Sequence, residues 1–354
     1  MSAAATTPQE ERLSFDCFGG RCTVIVADGD RAADAVTAAA LAKRALLDWH
    51  ARFSRFEAGS ELSRFNRNPR ERVTVSPLLG RLVQAALSAS EQTGGLVDAT
   101  LGAEIERAGY RFSLDGDGIP LEVALALAPP RAPARPSRAD PAQRISFDPV
   151  TSQVIRGAGT SLDPGGVAKG VFADELAAML DGFDAFAVDC AGDIRLGGRA
   201  GVARPINVTS PFDGRQLHTF ALRDGAIATS GIGKRSWLDG DAQPAHHLLD
   251  PRTGRPAYTG VVQATAVART AAEAEVLAKA AVLSGPTRAA EWLRHGGMVV
   301  YDDGRYELLE PAAAAASPRP GSSPFANRSA SQPRISVSTS SRSGSFKISW
   351  NRPG

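Results

Sequence analysis

Glu275 and Lys279 stand four residues apart in "AEAEVLAKAAVLSG". Residues at that spacing are neighbours on one helical face. On a solvated surface the pair is an ion pair worth roughly 0.2–0.5 kcal/mol. Its surroundings are small and apolar, which suits a tightly packed helix, so the pair either decorates a surface or lines a site. In "SLDPGGVAKGVFAD", Gly165 and Gly166 precede a helix with Ala168 and Lys169 in its first turn. Free N–H groups and a positive helix end suit an anion there, and a lysine suits phosphate. Gly-Gly before a helix is also ordinary turn chemistry. "AHHLLDPRTGRP" gathers His247, Asp250, Arg252, Thr253 and Gly254, a proton carrier beside a carboxylate and donors on a turn. "GAIATSGIGKR" sets Thr229, Ser230 and Gly231 together without a G-x-S-x-G elbow, so a hydrolase triad is not supported. "CAGDIRLGG", with Gly192 and Asp193, follows an apolar strand; read alone, it is a tight hairpin.

The elements that position these groups are mixed. "RCTVIVAD" alternates as a strand, and "RAADAVTAAALAKRALLDWHARFSRF" has helical periodicity. "SPLLGRLVQAALSASEQTGG" reads as a helix capped by Ser76, with Pro77 at its first position and Gly94-Gly95 ending it. "VAKGVFADELAAMLDGF" is a further helix, and glycine-separated strands run from "AFAVDCAG" through "HTFALRDGAIATS" to "VVQATAVAR". An Asp-Gly turn closes the hairpin "GMVVYDDGRYELL". Regular β-α alternation is absent, so one mixed domain of helices and strands is expected. It spans 13–310, behind a loose segment 1–12. Proline marks a surface loop or insertion at about 121–145, and 311–354 is a low-complexity, disordered tail.

The 354 residues carry 40 basic and 38 acidic side chains, a net charge of +2. No polyanion-binding surface follows from that balance, so nucleic acid is not an expected partner. Cys17, Cys22 and Cys190 are an odd count without paired spacing and read as buried thiols. "MSAAATTPQEERLSF" has neither a basic n-region nor an apolar h-region, and no apolar run nears the ~20 residues of a membrane span. A cytoplasmic protein without membrane insertion is the expectation.

Seven segments in order, "RFSRFEAGSELSRFN", "GGLVDATLG", "SLDPGGVAKGVFAD", "VDCAGDIRLGG", "AIATSG", "HHLLDPRTGRP" and "AEAEVLAKAA", resemble the FAD:protein FMN transferases, the ApbE-type flavin transferases. The likeness runs from about Phe15 to Gly285. It implies an α+β fold with mixed or antiparallel sheets and flanking helices around a flavin-binding cleft. The implied activity splits FAD, transfers FMN to a threonine or serine hydroxyl of an acceptor protein and releases AMP. Two other functions remain: a non-catalytic flavin-binding protein, and an FAD diphosphatase in which water is the acceptor. By the same resemblance, Phe18 and Phe56 lie against the flavin, and Ser60, Glu61, Asn66 and Asp98 match cofactor-binding stretches. Gly165, Gly166, Ala168 and Lys169 lie near the diphosphate. Gly192, Asp193, Thr229, Ser230, Gly231, His247, Thr253 and Gly254 belong to the FAD cleft. His247, Asp250, Lys169 and Lys279 are the implied catalytic set.

The family's helix typically reads Ala-Asp-x-x-x-Thr-Ala, and its aspartate and threonine bind a divalent metal with a carbonyl near Val167–Ala168. Mg²⁺ is the implied ion, with Ala168 and Glu275 as the metal residues here. Glu275 and Lys279 stand where that aspartate and threonine belong. A charged lysine has no lone pair for a metal, so Lys279 is expected to supply the metal's charge to the diphosphate. The family's Met-Gly-Thr is Phe18-Gly19-Gly20 here, with the loss of a hydroxyl.

Overall fold

Alternating apolar residues in "EERLSFDC" and "GRCTVIVA" build two antiparallel strands, β1 (Glu10–Cys17) and β2 (Gly20–Ala27). The computed structural model describes residues 10–29, 32–112, 118–137 and 144–311. The loose N-terminal segment expected for 1–12 ends sooner than its boundary: Glu10 to Arg12 are already paired with Ala27 to Ile25, and Arg204 bridges Glu10 at 2.7 Å. Residues 1–9 and the tail beyond 311 lie outside the described residues.

Six further strands complete the main sheet. They are β3 (Ala185–Cys190), β4 (Asp193–Gly197), β5 (Gly225–Gly231), β6 (Val261–Ala268), β7 (Gly297–Tyr301) and β8 (Tyr306–Leu309). Their spatial order equals their chain order and every neighbouring pair is antiparallel. β3, β6 and β7 are buried along almost their whole length, as strands covered on both faces are. The expected fold class, α+β with antiparallel sheets, is the one observed.

The helices are α1 (Ala32–Phe53), α2 (Glu61–Arg67), α3 (Pro77–Gln92), α4 (Gly102–Arg107), α5 (Leu121–Leu127), α6 (Ala168–Leu180) and α7 (Ala271–Ser284), followed by a single turn at Ala289–Trp292. α1 packs on β1 and β2 through Ala35, Ala39, Ala42 and Leu46, an i, i+4, i+7 stripe. Burying Leu46 alone stabilises by about 1.5–3 kcal/mol. α6 packs on β3 and β4, and α7 packs on β5 and β6 and against α6. α7 is buried on nearly every side, which its alanine content permits. Thr270 caps it, and both carboxylate oxygens of Asp174 accept its first N–H groups.

Proline does not make all of 121–145 a surface loop. Leu121–Leu127 is α5, entered from Pro120, and it buries Leu121 and Ala124. "LEVALAL" lies wholly between prolines, so it forms two turns undisturbed. The alanines that follow keep the N–H groups that proline lacks. Ala132 donates to Tyr258 O and Ala134 to Leu283 O, the latter satisfying a carbonyl of the last turn of α7. All three cysteines are free and buried, as expected. Among the described residues no helix is long and apolar enough to cross a membrane.

Candidate active site

α6 and α7 meet where Gly170 leaves no room for a side chain: a Cβ there would lie 2.6 Å from the Ala271 backbone. The close approach brings four charged groups together. Glu275 is fully buried, and its Oε2 accepts the Gly170 N–H at 2.9 Å. Its Oε1 accepts from Lys279 Nζ at 3.0 Å and from Lys169 Nζ at 3.2 Å. Lys169 also pairs with Asp193, the first residue of β4. The Glu275–Lys279 pair is therefore no surface decoration.

Burial would push Glu275 up, but the two ammonium groups and the Gly170 N–H bring it down to about 2. Asp193 goes the other way. Burial and the neighbouring Glu275 charge push it up to about 7, despite Lys169. The lysines split likewise. Burial opposes charge on Lys169, yet two carboxylates hold its pKa above the usual lysine value. Lys279 has Glu275 as its hydrogen-bonded carboxylate, and burial lowers it.

This cluster forms the floor of a cleft of about 1270 Å³. Gly165 and Gly166 belong to a 3₁₀ turn, Pro164–Gly166, that leads into Ala168 at the start of α6. Asp163 shapes the turn by accepting the Gly165 N–H, and Arg55 braces Asp163 at 3.1 Å. Gly166 faces Lys279: a Cβ there would lie 3.5 Å from the lysine Cε. Two hairpin tips form another wall. Phe18-Gly19 joins β1 to β2 and Ala191-Gly192 joins β3 to β4, each pair with positive φ as a two-residue type I′ turn requires. Phe18 and Ala191 hold that conformation without being glycine, a local strain of roughly 1–2 kcal/mol each. Phe18 stacks on Phe172 at 5.7 Å and presents a flat apolar surface to the cleft. Phe56, Asp98, Thr229, Ser230 and Gly231 also line it. Thr229 Oγ1 is hydrogen-bonded to Thr265 on β6.

His247 borders the same space, and its Nδ1 is buried with no hydrogen-bond partner. Burial and then the Arg235 charge hold its pKa well below the usual histidine range, so the ring is neutral at pH 7. Asp98 Oδ2 is likewise buried and without a hydrogen bond, while Oδ1 holds Thr100.

Several residues expected in the cleft do not line it. Ser60 caps α2 by accepting the Ser63 N–H. Glu61 bonds Arg52 at 2.9 Å and the Ser76 N–H at 2.9 Å, and Asn66 bonds both backbone groups of Leu162. Ser60 and Glu61 hold α2 and the start of α3, and Asn66 fixes the backbone just ahead of the Asp163 turn. Asp250 accepts the N–H groups of Arg135 and Arg252, and Thr253 accepts that of Arg255. Thr253 is exposed, and a Cβ on Gly254 would meet Glu104 at 2.8 Å. The Asp250–Gly254 segment is a self-satisfied turn, and His247 is its link to the cleft. Asp193 and Glu275 act from beneath the lining through the two lysines.

The same bonding decides the metal. Both Glu275 oxygens are committed to three N–H donors, and Lys279 offers no lone pair. Among the described residues no group of three or more His, Cys, Asp or Glu is placed to hold an ion. The residues at this point do not fit Mg²⁺, which demands oxygens in near-octahedral array.

Sequence reasoning passed over Arg235, which lines the cleft and donates to Phe18 O at 2.9 Å. Its signal was present in "SGIGKRSW", a basic pair straight after the glycine-bounded strand. Tyr110 was also missed. It stacks with Trp237 at 5.2 Å and meets Phe56 edge-on at 5.3 Å, with Arg55 over both Tyr110 and Phe56. Nothing in the sequence brings positions 56, 110 and 237 together.

The ApbE family model matches residues 18–301. An FAD:protein FMN transferase of Vibrio cholerae is 28% identical over 81% of this chain and 86% of its own, and one of Treponema pallidum is 29% identical over 63% and 64%. Among solved structures, the ApbE protein of Thermotoga maritima superposes with a TM-score of 0.69 at 25% identity, covering 85% of this chain and 97% of that one. The flavin transferase ApbE from Vibrio cholerae superposes at 0.66 and 24%, over 86% and 99%.

Proposed function

The chain belongs to the ApbE family, and we propose that it is an FAD:protein FMN transferase that binds FAD in the cleft described above. One observation carries the reading: a flat aromatic wall at Phe18 and a cationic floor at Lys169, Lys279 and Arg235 share one cleft with an unpartnered neutral histidine. An isoalloxazine ring needs the first and a diphosphate the second.

In the reaction, the hydroxyl oxygen of an acceptor threonine or serine forms a bond to the phosphorus of the FMN half. The bridging P–O bond breaks and AMP leaves with its electron pair. The hydroxyl proton needs an acceptor, and the lone pair of neutral His247 suits that task. The lysines and Arg235 offset charge on the phosphates. Mg²⁺ is the family's expected ion. The committed oxygens of Glu275 argue against it at this point, so no step is assigned to it.

Calorimetry with FAD, FMN and riboflavin tests the binding, and AMP release in the presence of a threonine-bearing acceptor protein tests the transfer. FAD is expected to bind more tightly than FMN or riboflavin. No FAD binding, or an equal affinity for riboflavin, overturns the proposal. AMP release with all FMN remaining free identifies a diphosphatase instead.

A further inference from the structure

We infer that the Lys279 ammonium, held in place by Glu275, binds the FAD diphosphate directly and without a divalent cation. The inference rests on the reading of the cleft as an FAD site. Its geometry begins with Gly166, whose missing side chain leaves the Pro164–Gly166 turn open to the Lys279 stem. Lys279 is about nine-tenths buried yet reaches the cleft surface. An ammonium carries three donors, and among the described residues its one hydrogen-bond acceptor is Glu275 Oε1. Its remaining donors are available to a ligand in the cleft.

Charge balance agrees. Two carboxylates, Asp193 and Glu275, and two ammonium groups, Lys169 and Lys279, form one connected network. The network holds the Lys279 ammonium against the ionised Glu275 carboxylate in the unliganded protein, so it is not buried unpaired. Lys169 is committed twice, to Asp193 and to Glu275, so it holds the carboxylates in place. Both lysines line the cleft, and Lys279, bound once, is the member with two donors left for a ligand. Glu275 reaches both lysines and the Gly170 N–H together, which fixes the Lys279 stem against α6. A dication at this point would lie beside an ammonium and compete for oxygens already in use. A lysine binds phosphate as a point charge without demanding fixed geometry.

The full chain is titrated with FAD, FMN and riboflavin by calorimetry, in excess EDTA and then in Mg²⁺. FAD affinity is expected to be the same in both. A second titration uses Glu275→Gln with Lys279→Met, which removes both charges together so that neither is left buried alone. FAD should weaken about tenfold or more, the loss expected when a hydrogen bond to a charged group is removed. Riboflavin, which has no phosphate, should bind as before. FAD binding that requires Mg²⁺ overturns the inference and leaves the FAD reading intact. The inference fails equally if the double variant binds FAD like the wild type, or loses riboflavin to the same degree. No binding of FAD in either buffer overturns the FAD reading itself.

Discussion

The buried middle of α7 and the exposed turn at Asp250–Gly254 carry similar side chains and do different work. Both place a carboxylate among donors. In the turn, the Asp250 carboxylate takes two N–H groups and its carbonyl takes those of Thr253 and Gly254. Both carboxylate bonds go to Oδ1 and come from backbone N–H groups, so the group shapes the chain itself. At α7 the Glu275 carboxylate also holds two lysines, and one of them keeps donors facing the cleft. Unused capacity in a buried place, rather than residue type, separates groups that can meet a ligand from groups that shape backbone.

The largest expected break in this contrast is Glu275→Ala. It leaves two ammonium groups facing each other in a buried site and orphans the Gly170 N–H. A loss of about 3–5 kcal/mol is expected in urea unfolding. A loss below about 1 kcal/mol would rank the pair with exposed ion pairs. Acid sharpens the same point. Glu275 has an ordinary value of 4.5 and a folded one of about 2, so its contribution is full above pH 4.5 and disappears as pH falls toward 2. The stability gap between wild type and Glu275→Gln should therefore shrink by about 3 kcal/mol over that window. Asp193, raised to about 7, gives the opposite slope between about pH 4 and pH 7. Glu275→Gln removes the charge that helps raise Asp193, so Asp193 should titrate lower in the variant, which NMR can check.

Gly170→Ala comes next. It should cost about 1–3 kcal/mol by pushing α6 away from the start of α7, with calorimetry reading the effect. The smallest effects belong to residues whose hydrogen bonds are local. Ser60→Ala should cost about 1 kcal/mol through the lost cap of α2 and leave FAD affinity unchanged. A changed affinity there would return Ser60 to the site.

Much of this was legible in the sequence. The Glu275–Lys279 spacing gave both the helix and the shared face, and the small residues around it anticipated its burial. Ser76 and Pro77 marked the start of α3 correctly. Proline density around Leu121–Leu127 points to a loop, but the seven residues themselves contain no proline and are mostly leucine, alanine and glutamate, which favour a helix. Ser60, Glu61 and Asn66 were read by resemblance as ligand contacts, and their partners, Arg52, Ser76 and Leu162, are fixed by tertiary packing. Arg235 was hidden for the same reason: only the fold shows that its guanidinium reaches the carbonyl of Phe18, 217 positions away.

The sheet keeps chain order, yet one of its joints is unlike the rest. β2 and β3 are neighbours in space, and beside them Gly29 donates to Asp184 across 155 positions of chain. Each doubling of a closed loop adds about 0.6 kcal/mol of entropy cost, and pairings of this range are slow to form. The β1–β2 hairpin is therefore the member expected to join latest during folding. Phe18 sits at its tip. The aromatic wall and the lysine floor thus come together only when that last long-range pairing is made, so a chain stalled before it could hold its helices and still have no complete cleft.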